Sequence, residues 1–198
     1  MEGPDPQVQR LRSMKKPGYV RLINLGQSPA ELMLDGTSRS TVDVGGYSAM
    51  VIAGSGSRKV EVKTGATSPF AETIDVPSDG GISILLNGKK ATVISDEPRQ
   101  ASGGKAILRV LNASATATVA KVETGGTVLA ESLAPTTGSK PYEVAPGSLP
   151  ISVEGKSTTV DVEADEAYTL VVGVPEPFLM KNSPNRRPAG STSPMAGG

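Results

Sequence analysis

One stretch of this chain is written twice, and that duplication limits what it can fold into more than any other feature. Tyr19-Val20-Arg21-Leu22-Ile23-Asn24-Leu25 returns as Ile107-Leu108-Arg109-Val110-Leu111-Asn112-Ala113, with Arg21 on Arg109 and Asn24 on Asn112. Thr73-Ile74-Asp75-Val76 returns as Thr159-Val160-Asp161-Val162. That match runs on without a gap through Asp79 and Asp165, Ile82 and Tyr168, and Ser83 and Thr169, to Ile84-Leu85-Leu86 and Leu170-Val171-Val172. Between these anchors Ala53-Gly54 answers Pro146-Gly147, and Val60-Glu61-Val62 answers Ile151-Ser152-Val153. A repeat of domain length implies two similar domains and not a solenoid of short units.

Each copy reads as β-structure. Short runs of Val, Ile, Leu and Thr are bounded by Gly, Pro, Ser and Asp. Val42-Asp43-Val44, Val60-Glu61-Val62, Ile74-Asp75-Val76 and Val160-Asp161-Val162 alternate apolar with charged residues, which buries one face of a strand and leaves its carboxylates in water. Leu85 to Ile94 is a predicted hairpin, with Asn87-Gly88 supplying the two positive φ angles of a type I′ turn. Asp35-Gly36 and Gly125-Gly126 mark further turns. No amphipathic helical pattern survives the intervening Gly and Pro. The expected fold is all-β: two similar small antiparallel β-sandwich or barrel domains in tandem, at 17–97 and 104–175. Residues 98–103 read as a linker, 1–16 as a flexible N-terminal segment, and 176–198 as a low-complexity tail, so both ends are expected to be disordered.

Composition narrows the chemistry. Among 198 residues there is no His, Cys or Trp, and there are six aromatic side chains, Tyr 4 and Phe 2. Without His or Cys there is no Ser-His-Asp triad, no thiolate nucleophile and no ordinary zinc or haem ligation. The expectation is that the protein is not an enzyme and carries no cofactor and no metal. Net charge is +0, yet the body, 17–175, has 13 basic against 17 acidic residues, while both ends are basic. A mildly acidic folded part argues against nucleic acid. No stretch approaches the ~20 consecutive apolar residues of a membrane-spanning helix. The first residues lack the basic-then-apolar order of a secretory signal, which leaves a cytosolic chain and an exported one whose signal has been removed both open.

The recurring Arg-x-x-Asn, Arg21 with Asn24 and Arg109 with Asn112, is the most conspicuous polar feature. A guanidinium and an amide can hold a carboxylate or a sugar hydroxyl in a fixed fork. Alternatively the Arg stem covers a sheet surface while Asn closes the strand in an Asx turn, and retention in both copies favours this structural role. Asp75 and Asp161 should face solvent, and Asp79 and Asp165 should sit at turns. Asn112-Ala113-Ser114 is a formal glycosylation sequon. Tyr19, Tyr47, Tyr142 and Tyr168 are the side chains that could stack on a sugar ring. Tyr168, which stands where the other copy has Ile82, reads as core.

The starts Val-Arg-Leu-Ile-Asn, 20–24, and Leu-Arg-Val-Leu-Asn, 108–112, are followed by a glycine-closed turn and then by Val-x-Val-type steps at 60–62 and 151–153. With the closing Tyr168-Thr169-Leu170-Val171-Val172, this outline resembles the alginate O-acetylation accessory protein family and related bacterial exported β-domains. The resemblance covers about 18–175 and includes the two-copy arrangement. It implies tandem β-sandwich domains, a periplasmic or extracellular location, and a non-catalytic adaptor role beside the acetyltransferase components that decorate an exopolysaccharide. It supplies no catalytic residue to carry over. The alternative expectation is a surface β-sandwich module that binds glycan or protein partners directly.

Overall fold

The computed structural model describes residues 17–96 and 101–182. The expected segment 1–16, the first half of the linker (98–100) and the last part of the expected tail lie outside these. Copy one contains β1 (Tyr19–Leu25), β2 (Ala30–Leu34), β3 (Thr37–Val42), β4 (Gly46–Tyr47), β5 (Val51–Ile52), β6 (Gly56–Thr64), β7 (Thr67–Val76), β8 (Gly81–Asn87) and β9 (Lys90–Ser95). Copy two contains β10 (Ala106–Asn112), β11 (Val119–Thr124), β12 (Thr127–Leu133), β13 (Tyr142–Val144), β14 (Gly147–Val153), β15 (Lys156–Val162), β16 (Ala167–Val172) and β17 (Phe178–Lys181). The chain is all-β, and the duplication extends to the topology. An outer sheet runs β3-β2-β6-β7 in copy one and β12-β11-β14-β15 in copy two. An inner sheet runs β4-β1-β8-β9, with β5 also on β1, and β13-β10-β16-β17.

Local chemistry explains the elements. Type I′ hairpins close at Asp35-Gly36, Gly125-Gly126 and Glu154-Gly155, where both central residues have positive φ. Inward-facing Val, Leu and Ile of the two sheets in each copy meet in a core, with Leu22, Leu32, Val62 and Ile84 in the first and Val110, Val122, Leu129 and Leu170 in the second. The registers Arg21↔Ser83 and Arg109↔Thr169 place the repeated residues in equivalent positions.

The expected sandwich class holds, with strands mostly antiparallel, and several details within it are corrected. The central pairings β1–β8 and β10–β16 are parallel. Parallel neighbours are usually buried on both faces and read as continuous apolar runs, as Ile82–Leu86 and Tyr168–Val172 do apart from Ser83 in the first and Thr169 in the second. Residues 176–182 are not tail: β17 pairs with β16 and buries Met180, filling the place that β9 has in copy one. The hairpin loop after β8 is Gly88-Lys89, with a positive φ at Gly88 alone, which is the type II′ pattern rather than I′. Gly147 corresponds to Gly56 and not to Gly54, because both open a strand opposite the matched pair Val76 and Val162.

The relative pose of the copies follows from a third apolar layer. Ile23, Leu85 and Ile94 point away from the first core; their counterparts Leu111, Val171 and Met180 point away from the second, and all six belong to one buried cluster. Equivalent faces therefore meet, as in a two-fold dimer interface. The result is a four-layer stack: outer sheet, inner sheet, inner sheet, outer sheet. The Tyr47 ring stacks on Phe178 at 6.1 Å across this seam, and the Asn87 side chain donates to the Ala113 carbonyl at 2.9 Å.

Candidate functional site

The four candidate residues divide by type. Asn24, next to last in β1, and Asn112, last in β10, are fully buried. Asn24 Oδ1 accepts from the Gly26 N–H, while its Nδ2 donates to the carbonyls of Val42 and Ser28. Asn112 Oδ1 accepts from the Ser114 N–H, and its Nδ2 donates to the carbonyls of Leu133, Ala117 and Ala134. The first half of each set is an Asx turn. The second half reaches the end of β3 or β12 in the outer sheet, so each Asn ties the two sheets of its sandwich together. The sequon at Asn112 is buried within this network.

The arginines behave otherwise. Arg21 lies on the seam-facing side of β1 with a side chain 1% exposed, contrary to a stem spread over a solvated sheet. Its Nε donates to Ser83 Oγ at 2.9 Å, Nη2 pairs with Asp96 Oδ2, and Ser83 Oγ donates to that same carboxylate oxygen. Arg109, 19% exposed, approaches from copy two: Nη2 donates to the Ser95 carbonyl at 3.0 Å and Nη1 stands 3.8 Å from Asp96 Oδ1. One carboxylate thus receives both repeated arginines. In copy two Thr169 replaces Ser83 and Asn182 replaces Asp96, with Asn182 Nδ2 donating to Thr169 Oγ1 at 3.0 Å. Gly138 passes so close to the Arg109 guanidinium that a Cβ there would collide with it.

Beside this cluster the seam opens into a cleft of about 210 Å³, lined by Ser95, Ile107, Arg109, Ser139, Tyr168 and Asn182. Several of its polar groups are committed internally. Ser139 Oγ accepts from the Val110 N–H and donates to the Lys140 carbonyl, as Ser48 Oγ does with Leu22 and Ala49 in copy one. Ser83 has an acid beside it, yet it is sealed between two sheets. The arrangement locks charge across a seam and turns little of it toward solvent.

Sequence reasoning missed Asp96, which lies two residues before the expected linker, and the Ser48/Ser139 pair. Asp96 falls one residue past an apolar-alternating strand and matches Asn182 once β17 is recognised. The serines sit in irregular segments beside the short edge strands β4 and β13, at spacings that differ between copies, so no pattern marks them.

The remaining expectations can be placed. Asp75 and Asp161 are exposed, and Asp79 and Asp165 sit in turns at φ 60 and 61. Asp165 Oδ1 accepts from the Gly104 N–H at 2.9 Å. Tyr168 is in the second core with its hydroxyl accepting from the Glu163 N–H, Tyr142 packs against the same core, and Tyr47 is taken up by Phe178. Among the described residues no three acidic, His or Cys side chains gather to hold a metal ion, and no helix is long and apolar enough to cross a membrane.

Ion pairs on the surface shift a few groups. The Lys105 ammonium is raised by its hydrogen bond to Glu143, which is lowered in turn, and Lys121 is raised by Glu123. Partial burial lowers the Lys181 pKa, but hydrogen bonds to Glu163 and Glu166 outweigh it and leave the group raised. No protein-family model and no curated protein matches the chain.

Proposed function

We propose that the protein is a non-enzymatic adaptor, a two-module β scaffold that presents surfaces to protein partners in an exopolysaccharide O-acetylation assembly of the alginate type. The observation that carries the scaffold half is the seam. A shared apolar layer and a three-residue charge cluster join the copies face to face, and the duplicated polar residues serve that joint and the sandwich staples. Such a body holds two partners at a fixed separation. The assembly half is supported by the sequence resemblance, which also supplies the periplasmic or extracellular location. Direct glycan binding loses support from the use of Tyr47, Tyr142 and Tyr168 in packing.

The test is recovery of the full chain from its host after mild crosslinking. Enrichment of an acetyltransferase or polysaccharide-export component is the expected result. Recovery of neither, together with chemical-shift changes on titration with acidic polysaccharide, would replace the adaptor with a glycan-binding module.

A further inference from the structure

The end of the stack away from the described chain termini carries an apolar opening. Pro17 is fixed beside Asp79 at the start of β8, and Asn182 beside Ala167 at the start of β16. At the other end of these strands, about 20 Å away at ~3.3 Å per residue, a groove of about 590 Å³ crosses the seam. Leu25 and Val44 from copy one and Val174, Pro177, Phe178 and Glu176 from copy two line it. Leu25, Val174 and Phe178 are the outer members of the inter-module apolar layer, so the groove continues that interface into solvent. Val44 stands at its lip 52% exposed, among the most exposed large apolar residues described.

The electrostatics select the occupant. Glu176 is the one charged side chain among the described lining residues, and Asp43 precedes Val44 on the exposed lip. Neither carboxylate has an ion-pair partner among the described residues. An acidic polysaccharide would meet repulsion here, and the Phe178 ring has one face covered by Tyr47. We propose that this seam groove docks an apolar segment of a partner protein bearing a lysine or arginine that pairs with Glu176. Its apolar side chains extend the Leu25–Val174–Phe178 layer, and its cation supplies the charge the lip lacks. The proposal rests on the adaptor reading and names the chemistry of the partner that reading requires.

The experiment places a photo-crosslinking amino acid at position 44 of the full chain in its host, with position 128 on the outer sheet of copy two as the control. The expected result is a discrete protein adduct at 44 and not at 128, mapped to an apolar peptide containing Lys or Arg. Glu176→Lys, which touches an exposed side chain with no ion-pair partner among the described residues, should reduce that adduct at least tenfold while leaving the urea midpoint unchanged. An adduct on glycan or on a second copy of this chain would overturn the proposal. So would an adduct indifferent to Glu176→Lys, or none above the level at 128. A partner of the expected chemistry that belongs to no acetylation machinery would instead sink the assembly reading and leave the groove assignment standing.

Discussion

Replacing Asp96 with asparagine isolates the charge lock, because it keeps the shape of the side chain and makes copy one resemble copy two at Asn182. Arg21 then remains 1% exposed with its counter-ion gone, although Nε keeps Ser83 Oγ and an amide oxygen can still accept from Nη2. Breaking a buried pair by removing one partner typically costs about 3–5 kcal/mol, and the retained hydrogen bonds favour the lower end. Arg109 adds little, since partly exposed pairs contribute roughly 0–1 kcal/mol. A net loss of about 3 kcal/mol follows, which for a chain of this size corresponds to a fall in Tm of roughly 6–12 °C. Urea unfolding should show a lower midpoint at an unchanged slope. Adding Arg21→Met removes the orphaned charge and should restore most of the loss, since apolar replacement of a buried pair is often neutral or better. An Asp96→Asn protein within about 1 kcal/mol of the parent, or a double variant no better than the single one, would refute this reasoning.

Further outcomes are expected for four substitutions. Asn112→Ala should lower stability by roughly 2–3 kcal/mol in urea unfolding, because buried carbonyls and the Ser114 N–H lose their partner. Asn24→Ala should cost less, since Asn24 serves two carbonyls where Asn112 serves three. Gly138→Ala should displace Arg109 and cost about 1–3 kcal/mol by calorimetry, an overpacking effect. Glu143→Gln should lower the Lys105 titration midpoint toward its ordinary value by NMR, and added salt should mimic it. For this exposed pair, the lowered Glu143 pKa stabilises the fold above the ordinary carboxylate range and the contribution disappears as pH falls through the folded value. The raised Lys105 pKa stabilises it below the ordinary ammonium range and is lost as pH rises through the folded value.

The sandwich class and the pairing of the copies were legible because strand alternation and the Arg-x-x-Asn repeat are local signals that survive loop changes. Asn24 and Asn112 were readable as turn-closing residues for the same reason, although their reach into the outer sheet needs coordinates. The parallel central pairs left a trace, the near-continuous runs at Ile82–Leu86 and Tyr168–Val172, which signals burial on both faces but does not say what covers the second face. Arg21 is hidden from sequence reasoning because its partner lies 75 residues away, at a strand end that looks like linker. β17 escaped because four residues between Pro177 and a Ser/Pro-rich stretch carry too little periodicity, and their burial is decided by β16 alone.

Residual dipolar couplings from backbone amides of the two copies test most directly whether the duplicated modules form one block. Fitted separately over 19–95 and 106–181, they should give alignment tensors equal in magnitude and orientation in the frame of the stacked inner sheets. Tensors of different magnitude would mean that the copies move independently, and the seam through Ile23, Leu85, Leu111 and Val171 would not be the joint described.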